Sequence, residues 1–338
     1  MKSCGSSWLV RRLLAVATLC SLFGTAMVLG IGAREQVIAQ ENVTQETKQE
    51  PAVAAAEKSS QEKTANGKTK KKAAKHDRFV RINKDEKGRP VSMDTSTIRY
   101  TKKMPDGTEL IVDLVGVVHI GEKDYYSAFN EQFKNYDALL YELVAPEGTK
   151  VDARNEGGGV NPVAALQKGM MAGLDLQFQL EHINYNASNF VHADMTPEEF
   201  GQSMTENNES VAKMFFRMMG TSAAMSGSSG EAEMLRALMS SGDERTYRLR
   251  RSAASQLIKM DVGMVAFEGD NGSTIITHRN GKAFKVLQAQ IDAGKRKLGV
   301  FYGAGHLPDM ERRLIEEFGM TAGEPQWQVA WKLRAESK

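Results

Sequence analysis

Two segments of the chain follow one plan, and that plan restricts the fold more than any other feature. Gly116-Val-Val-His119 closes the apolar run IVDLVGVV, and Gly303-Ala-Gly-His306 closes the run KLGVFYGA. Each run is short, apolar and rich in β-branched or aromatic residues, the pattern of a buried strand. After each histidine comes a helical pattern, EKDYYSAFNEQF in the first case and PDMERRLIEEF in the second. Another strand-like run follows each, ALLYELV and QWQVAW. Two copies of strand–GxxH–helix–strand predict an α/β domain of duplicated units, with a mixed sheet flanked by helices. In such folds, groups at the carboxyl ends of the strands converge on ligands. A converging pair of histidines points to a metal.

The ends of the chain read differently. Lys2, Arg11 and Arg12 precede an uncharged run, Leu13 to Ala33, and Val37-Ile38-Ala39 offers small residues for cleavage. That is the order of an export signal. The run exceeds the ~7–15 residues of a signal core and approaches the ~20 that span a bilayer. Residues 1–39 are therefore either a cleaved signal or a retained membrane anchor. Both readings place the bulk of the chain outside the cytoplasm: periplasmic, extracellular, or tethered to the membrane through residues 13–33. Residues 40–77 are Gln, Glu, Lys, Thr and Ala with a lysine run from Lys68 to Lys75. With almost nothing large and apolar to bury, this stretch is expected to be a disordered tether. Residues 78–338 form the expected domain.

Composition narrows the chemistry. Both cysteines, Cys4 and Cys20, lie in the leader. The exported part can form neither a disulfide nor a thiolate metal site, so any ion there is held by nitrogen and oxygen. Beyond residue 39 the chain carries 40 basic and 41 acidic residues. This balance advertises no basic face for nucleic acid.

Within the domain, two short strands are expected around Lys87-Gly88. A Pro105-Asp-Gly107 turn should join Thr97–Lys102 to a buried strand over Thr108–Val118. An amphipathic stretch is expected from Pro162 to Ile183, after Gly157-Gly-Gly159. A methionine-rich helical insert is expected over about 196–260. It opens on Thr196-Pro-Glu-Glu199, a capping-box signature with proline at the first helical position. Asp261–Phe267 reads as a short strand, and His278–Ala293 as the helix before the second GxxH strand.

The chemical groups follow from these placements. His119 and His306 are the expected metal ligands, equivalent by repetition. Glu142 interrupts the apolar run DALLYELV, where an unpaired carboxylate is costly to bury. It is the natural oxygen donor to complete a two-histidine set for a divalent ion: Mn, Co, Zn or Fe. His192, in His192-Ala-Asp194, is expected as a fourth ligand or a general base. Asp194 either faces the same ligand or starts the next helix. Arg279, paired with Asn280 at a helix start, is placed to hold a substrate oxygen or steady an oxyanion. Asp113 lies before the active end of its strand and reads as structural or as a group supporting the site from behind. His182, after QFQLE, reads as a solvated or capping residue. Two histidines and a carboxylate also suit a non-haem iron oxygenase, so the residues alone leave that alternative open.

The segments GVVHIGEKDYYSAF, YDALLYELV, HRNGKAFKVLQAQIDAG and FYGAGHLPDMERRLIEEFGM resemble the TraB/PrgY/GumN family. That family includes the TIKI proteins and belongs to a wider set with erythromycin esterase and ChaN-like proteins. The resemblance spans most of Thr108 to the end and is weak across Gly201–Asp261. Its two GxxH motifs, intervening glutamate and Arg-Asn pair correspond here to His119, Glu142, Arg279-Asn280 and His306. It implies a metal-dependent hydrolase, most similar to metallopeptidases and acting on a peptide or protein. A non-catalytic protein that sequesters a peptide or haem in the same cleft is the alternative it also implies.

Overall fold

The computed structural model describes residues 78–149, 151, 173–209, 236–237, 239–266 and 272–335. The expected leader, tether, Gly157-Gly-Gly159 segment and most of the methionine-rich run lie outside these residues. The described part is α/β, with a mixed sheet of eight strands in the order β1 (Val80–Lys84), β2 (Pro90–Lys103), β3 (Glu109–Val117), β8 (Lys297–Gly303), β5 (Ala138–Tyr141) and β7 (Phe190–His192); β9 (Thr321–Ala322) and β10 (Gln326–Lys332) pair with β2 off this path.

The chain opens antiparallel. β1 (Val80–Lys84) turns at Gly88, which has φ +74°, into β2 (Pro90–Lys103), and β2 returns as β3 (Glu109–Val117). The second turn is the one expected: Gly107 sits at φ +83° and its N–H bonds the Met104 carbonyl at 2.9 Å. A left-handed backbone there favours glycine. The residues read as a short strand and as Thr97–Lys102 are one long strand, β2, paired with β1 and β3 in successive stretches.

β3 then leads through β4 (Ile120–Gly121) and helix α1 (Lys123–Phe133) to β5 (Ala138–Tyr141). After β6 (Gln177–Phe178) and the single turn α2 (Gln179–His182) comes β7 (Phe190–His192), beside β5. The end of the expected amphipathic stretch is thus broken: Gln177–Phe178 pairs with β4 and only Gln179–His182 is helical. Helices α3 (Pro197–Glu206) and α4 (Gly242–Ala266) follow. α3 starts as expected: Thr196 Oγ1 accepts from the Glu199 N–H and Glu199 Oε2 accepts from the Thr196 N–H. Residues 261–266, read as a strand, continue α4. A π-helical turn (Thr274–His278) runs straight into α5 (Arg279–Asp292), then β8 (Lys297–Gly303), a 3-10 turn (Ala304–His306) and α6 (Leu307–Glu316). β9 (Thr321–Ala322) and β10 (Gln326–Lys332) finish the chain on β2.

β3, β8, β5 and β7 are mutually parallel and carry the core on both faces. This is why their sequences are continuous apolar runs rather than alternating ones. On one face α1 lays Tyr125, Tyr126, Phe129 and Phe133 against Val115, Leu139 and Phe301. On the other, α5 lays Ala283, Phe284, Leu287 and Ile291 against Leu140, Val300 and Tyr302, joined by Leu307, Met310 and Leu314 of α6. Both helices bury positions at the spacing i, i+1, i+4, i+8, which keeps one stripe of a helix facing a sheet.

Duplication holds for the first three parts of the unit and fails for the last. β3 and β8 are neighbours in register, Val117 opposite Gly303, so the two GxxH motifs lie side by side. The first unit ends on β5 in the parallel layer, whereas the second ends on β9 and β10, antiparallel to β2. β2 is long enough to offer them a free edge, and the parallel layer has already received β5 beside β8.

Candidate metal and acid-base centre

At the carboxyl ends of β3, β8 and β5 three expected residues come together around Gly303. A Cβ added to Gly303 would lie 3.2 Å from Glu142 Oε2, 3.6 Å from His119 Nε2 and 3.8 Å from His306 Cδ2. Having no side chain, Gly303 lends its backbone to the site. Its N–H donates to Glu142 Oε2 at 2.7 Å. His306 Nε2 is 3.4 Å from Glu142 Oε1.

Each imidazole is held from behind by a side-chain amide. His306 Nδ1 meets Asn280 Oδ1 at 2.7 Å. The Asn280 amide cannot be turned over, because its Nδ2 donates to the His306 carbonyl at 3.1 Å and to Asp309 Oδ2 at 2.9 Å. Both partners only accept. Asn280 Oδ1 is therefore an acceptor and His306 Nδ1 carries a proton; in the neutral ring the lone pair sits on Nε2, and in the protonated ring Nε2–H faces Glu142 Oε1. His119 Nδ1 meets Gln179 Oε1 at 3.0 Å, while Gln179 Nε2 donates to Tyr185 Oη at 2.6 Å. With the amide in this orientation, His119 Nε2 is also bare.

Arg279 is 2% exposed and Asn280 fully buried, although they are adjacent. The π-helical turn before them ends with both aimed inward. Such turns recur at functional sites. Arg279 binds Asp194 through two bonds, Nε to Oδ1 at 2.9 Å and Nη2 to Oδ2 at 2.5 Å. Its Nη2 also reaches Glu142 Oε1 at 2.8 Å. Burial would raise the Glu142 carboxyl, but His306 and Arg279 outweigh it and hold the group well below the usual carboxylate range. The two carboxylates likewise outweigh burial at Arg279 and keep it charged. Two buried acids face one guanidinium, leaving one negative charge for a proton or a cation to balance.

Among the described residues no group of three or more His, Cys, Asp or Glu side chains stands ready to close on an ion, since Arg279 and the Gly303 N–H occupy the carboxylate oxygens. The donor chemistry nevertheless fits. Nδ1-anchored imidazoles with bare Nε2 atoms are the usual form of metal-binding histidines, and a carboxylate lies beside both. Of the residues gathered here, His119, His306 and Glu142 carry the nitrogen and oxygen donors that a divalent ion takes.

Two of the expected residues have partners that the sequence did not indicate. His192, expected as a fourth ligand or base, is turned to another face. In the register of β5 and β7 it stands opposite Tyr141, sharing that residue's face of the sheet, one residue short of Glu142. Its ring lies 5.7 Å from the Tyr141 ring and its Nε2 is 2.6 Å from the Leu143 carbonyl, which can only accept. A nitrogen that donates to a carbonyl has no lone pair for an ion. Arg279, expected to wait for a substrate oxygen, is engaged by Asp194 and Glu142. The other open question resolves: Asp194 reaches the site through Arg279, and the helix start belongs to Thr196.

Asp113 is structural as expected, gripped by Arg99 at 2.9 Å and by Tyr136 Oη at 3.0 Å. His182 is half-buried, its ring stacked on Tyr126 and its Nε2 3.3 Å from Gln177 Oε1.

Sequence reasoning did not single out Gln179, Tyr185 or Asp309. Gln179 had only weak signal, one polar residue in an apolar–polar run. Asp309 was detectable as the acid in the first turn after His306. Burial opposes its ionisation, but bonds from Arg313, Asn280 and Arg312 hold it below the ordinary aspartate range. Neither a family model, nor a curated protein, nor a solved structure matches this chain.

Proposed function

We propose that this chain is an exported metal-dependent hydrolase acting on peptide bonds, with His119, His306 and Glu142 as the ligands of a divalent ion. The observation that carries the reading is the pair of amide-anchored imidazoles that, with one carboxylate, surround a point beside Gly303. The unbalanced negative charge of Glu142, Asp194 and Arg279 favours a cation there. The resemblance to the TraB/PrgY/GumN family supports the same residues and supplies the peptide substrate class. When bound, the ion would act as a Lewis acid and bring the pKa of water toward neutrality.

The protein's own residues prepare the site. Arg279 and the Gly303 N–H keep Glu142 ionised and fix its plane. Asn280 and Gln179 aim the two Nε2 atoms. Asp194 neutralises part of the Arg279 charge and prevents the guanidinium from swinging away.

The test is metal analysis of full-length protein purified without chelator, followed by digestion of a peptide library. About one equivalent of metal is expected, lost in His119→Ala and in His306→Ala, with peptide cleavage abolished by chelator. Unchanged metal content in both variants defeats the reading. Binding of peptide or haem at one equivalent with no product replaces it with a sequestering role.

A further inference from the structure

The two histidines are braced by amides of the same kind, but the braces differ in what lies behind them. Asn280 faces a backbone carbonyl and the Asp309 carboxylate, neither of which can donate. Gln179 faces the Tyr185 hydroxyl, which can donate or accept. In the observed arrangement Gln179 Nε2 donates to Tyr185 Oη and Gln179 Oε1 accepts from His119 Nδ1. Turning the Gln179 amide over exchanges its oxygen and nitrogen. Tyr185 then donates to Oε1, and Nε2 donates to His119 Nδ1. Both hydrogen bonds survive, yet the His119 proton now sits on Nε2, the atom facing Glu142 and Gly303. The exchange costs no hydrogen bond between these groups, whereas the same rotation of Asn280 would set its amine against His306 Nδ1–H and its oxygen against two acceptors.

We infer that Gln179 and Tyr185 form a reversible positioning relay that sets the tautomer of His119, while Asn280 and Asp309 lock His306 in one tautomer. The arm carrying the relay is tied to the backbone of His119 itself. The Gln179 N–H bonds the His119 carbonyl at 2.9 Å, and Phe178 pairs with Ile120 across β4 and β6. The Tyr185 ring packs edge-on to Tyr141, 5.3 Å between centroids, and both Gln179 and Tyr185 are buried. Only the amide has to turn. Burial also keeps the Tyr185 hydroxyl protonated, as a relay able to donate requires. One histidine can thus place or withhold a proton at Nε2 in its neutral form, while the neutral form of its partner presents a lone pair there.

The relay belongs to the metal-free protein, so it stands apart from the hydrolase reading and is tested without activity. Full-length chain carrying 15N-labelled histidine is stripped of metal and its ring nitrogens are observed by NMR at pH 8. His306 should show a single Nδ1–H form, and His119 a mixture of both forms in exchange. Gln179→Glu replaces the reversible amide with a group that only accepts. It should cut the Nε2–H fraction of His119 about tenfold, through the stronger charge-assisted bond to Nδ1–H, and leave His306 unchanged. Tyr185→Phe should shift the His119 mixture without touching His306, and thermal melting checks that the fold persists in each variant. A single His119 tautomer that neither substitution alters overturns the proposal, and so does a His306 mixture that follows Tyr185. Metal content, measured separately, decides the ligand assignment whatever the tautomers show.

Discussion

The same four-residue pattern, GxxH, serves two different purposes in this molecule. Gly116 and Gly303 both lack a side chain because something else needs the space, but the occupants differ. At Gly116 it is Leu307 Cδ1, which would be 2.9 Å from an added Cβ, together with the Ser96 carbonyl at 3.2 Å. At Gly303 it is the chemistry itself, Glu142 and the two imidazoles. The first glycine lets the helix after the second histidine pack onto β3; the second lets a backbone N–H enter the site. The histidines diverge in parallel. His306 is 5% exposed and tied through Asn280 to a carboxylate with two arginines behind it. His119 is half-buried and braced by neutral groups alone. Repetition placed two imidazoles at one strand end, and the surroundings made one rigid and the other adjustable.

Breaking the shared element should cost most. Arg279→Met leaves Asp194 and Glu142 facing each other with no cation between them. Losing one partner of a buried ionic group costs about 3–5 kcal/mol, and urea unfolding should register a loss of that size together with loss of any metal-dependent activity. A stability change under about 1 kcal/mol would show that Arg279 is not what holds the two acids.

The braces come next. Asn280→Ala should weaken Mn or Co binding about 10–100-fold, the usual consequence of removing the group that orients a histidine ligand. Gln179→Ala should cost less, because the brace it removes is the adjustable one. Isothermal titration on both variants ranks them, and a larger loss in Gln179→Ala would reverse the comparison.

The two glycines separate stability from chemistry. Gly116→Ala overpacks β3 against Leu307 and a carbonyl, which should cost about 1–3 kcal/mol in thermal or urea unfolding with metal affinity spared. Gly303→Ala should do the converse, with metal affinity falling more than stability. Equal effects in both assays would mean that the motifs are interchangeable.

Acid should distinguish the two sides by the smallest margin. The Asp309 carboxyl is depressed in the folded protein, so its contribution is fully present above the unfolded aspartate value near ~3.9. It is lost as pH falls below that value and through the folded one. The bonds at stake are those from Asn280, Arg312 and Arg313. Melting temperature should therefore fall below about pH 4, and Asp309→Asn should make that part of the curve shallower. Gln179→Ala should leave the slope unchanged, since the brace of His119 contains no carboxylate.

Several of these parts were legible without coordinates. Short apolar runs ending in GxxH announced buried strands, Pro105-Asp-Gly107 announced its turn, and Thr196-Pro-Glu-Glu199 announced a capped helix. Local chemistry settles each of these, since the turn and the cap are completed by neighbours within a few residues. Glu142 stood out because a charge inside an apolar run demands a partner. His192 was not legible in the same way, because a histidine two residues from an aspartate in a loop-like stretch gives no parity. Pairing with β5 made it part of a strand and fixed which face it took. The helix over 261–266 misled for a related reason, since a short apolar run has no period of its own.

What the sequence determined by itself is the inventory and its punctuation: two imidazoles and one acid at strand ends, no thiol to compete with them, and helices with one apolar stripe. Tertiary structure decided the assignments among them. Setting β8 between β3 and β5 brought the motifs side by side, one residue out of step, the π-helical turn aimed Arg279 and Asn280 inward, and Tyr185 came to stand behind Gln179. The division has a physical cause. Propensity and capping are short-range and can be read along the chain, whereas the partner of a buried polar group is fixed by which distant backbones pack together.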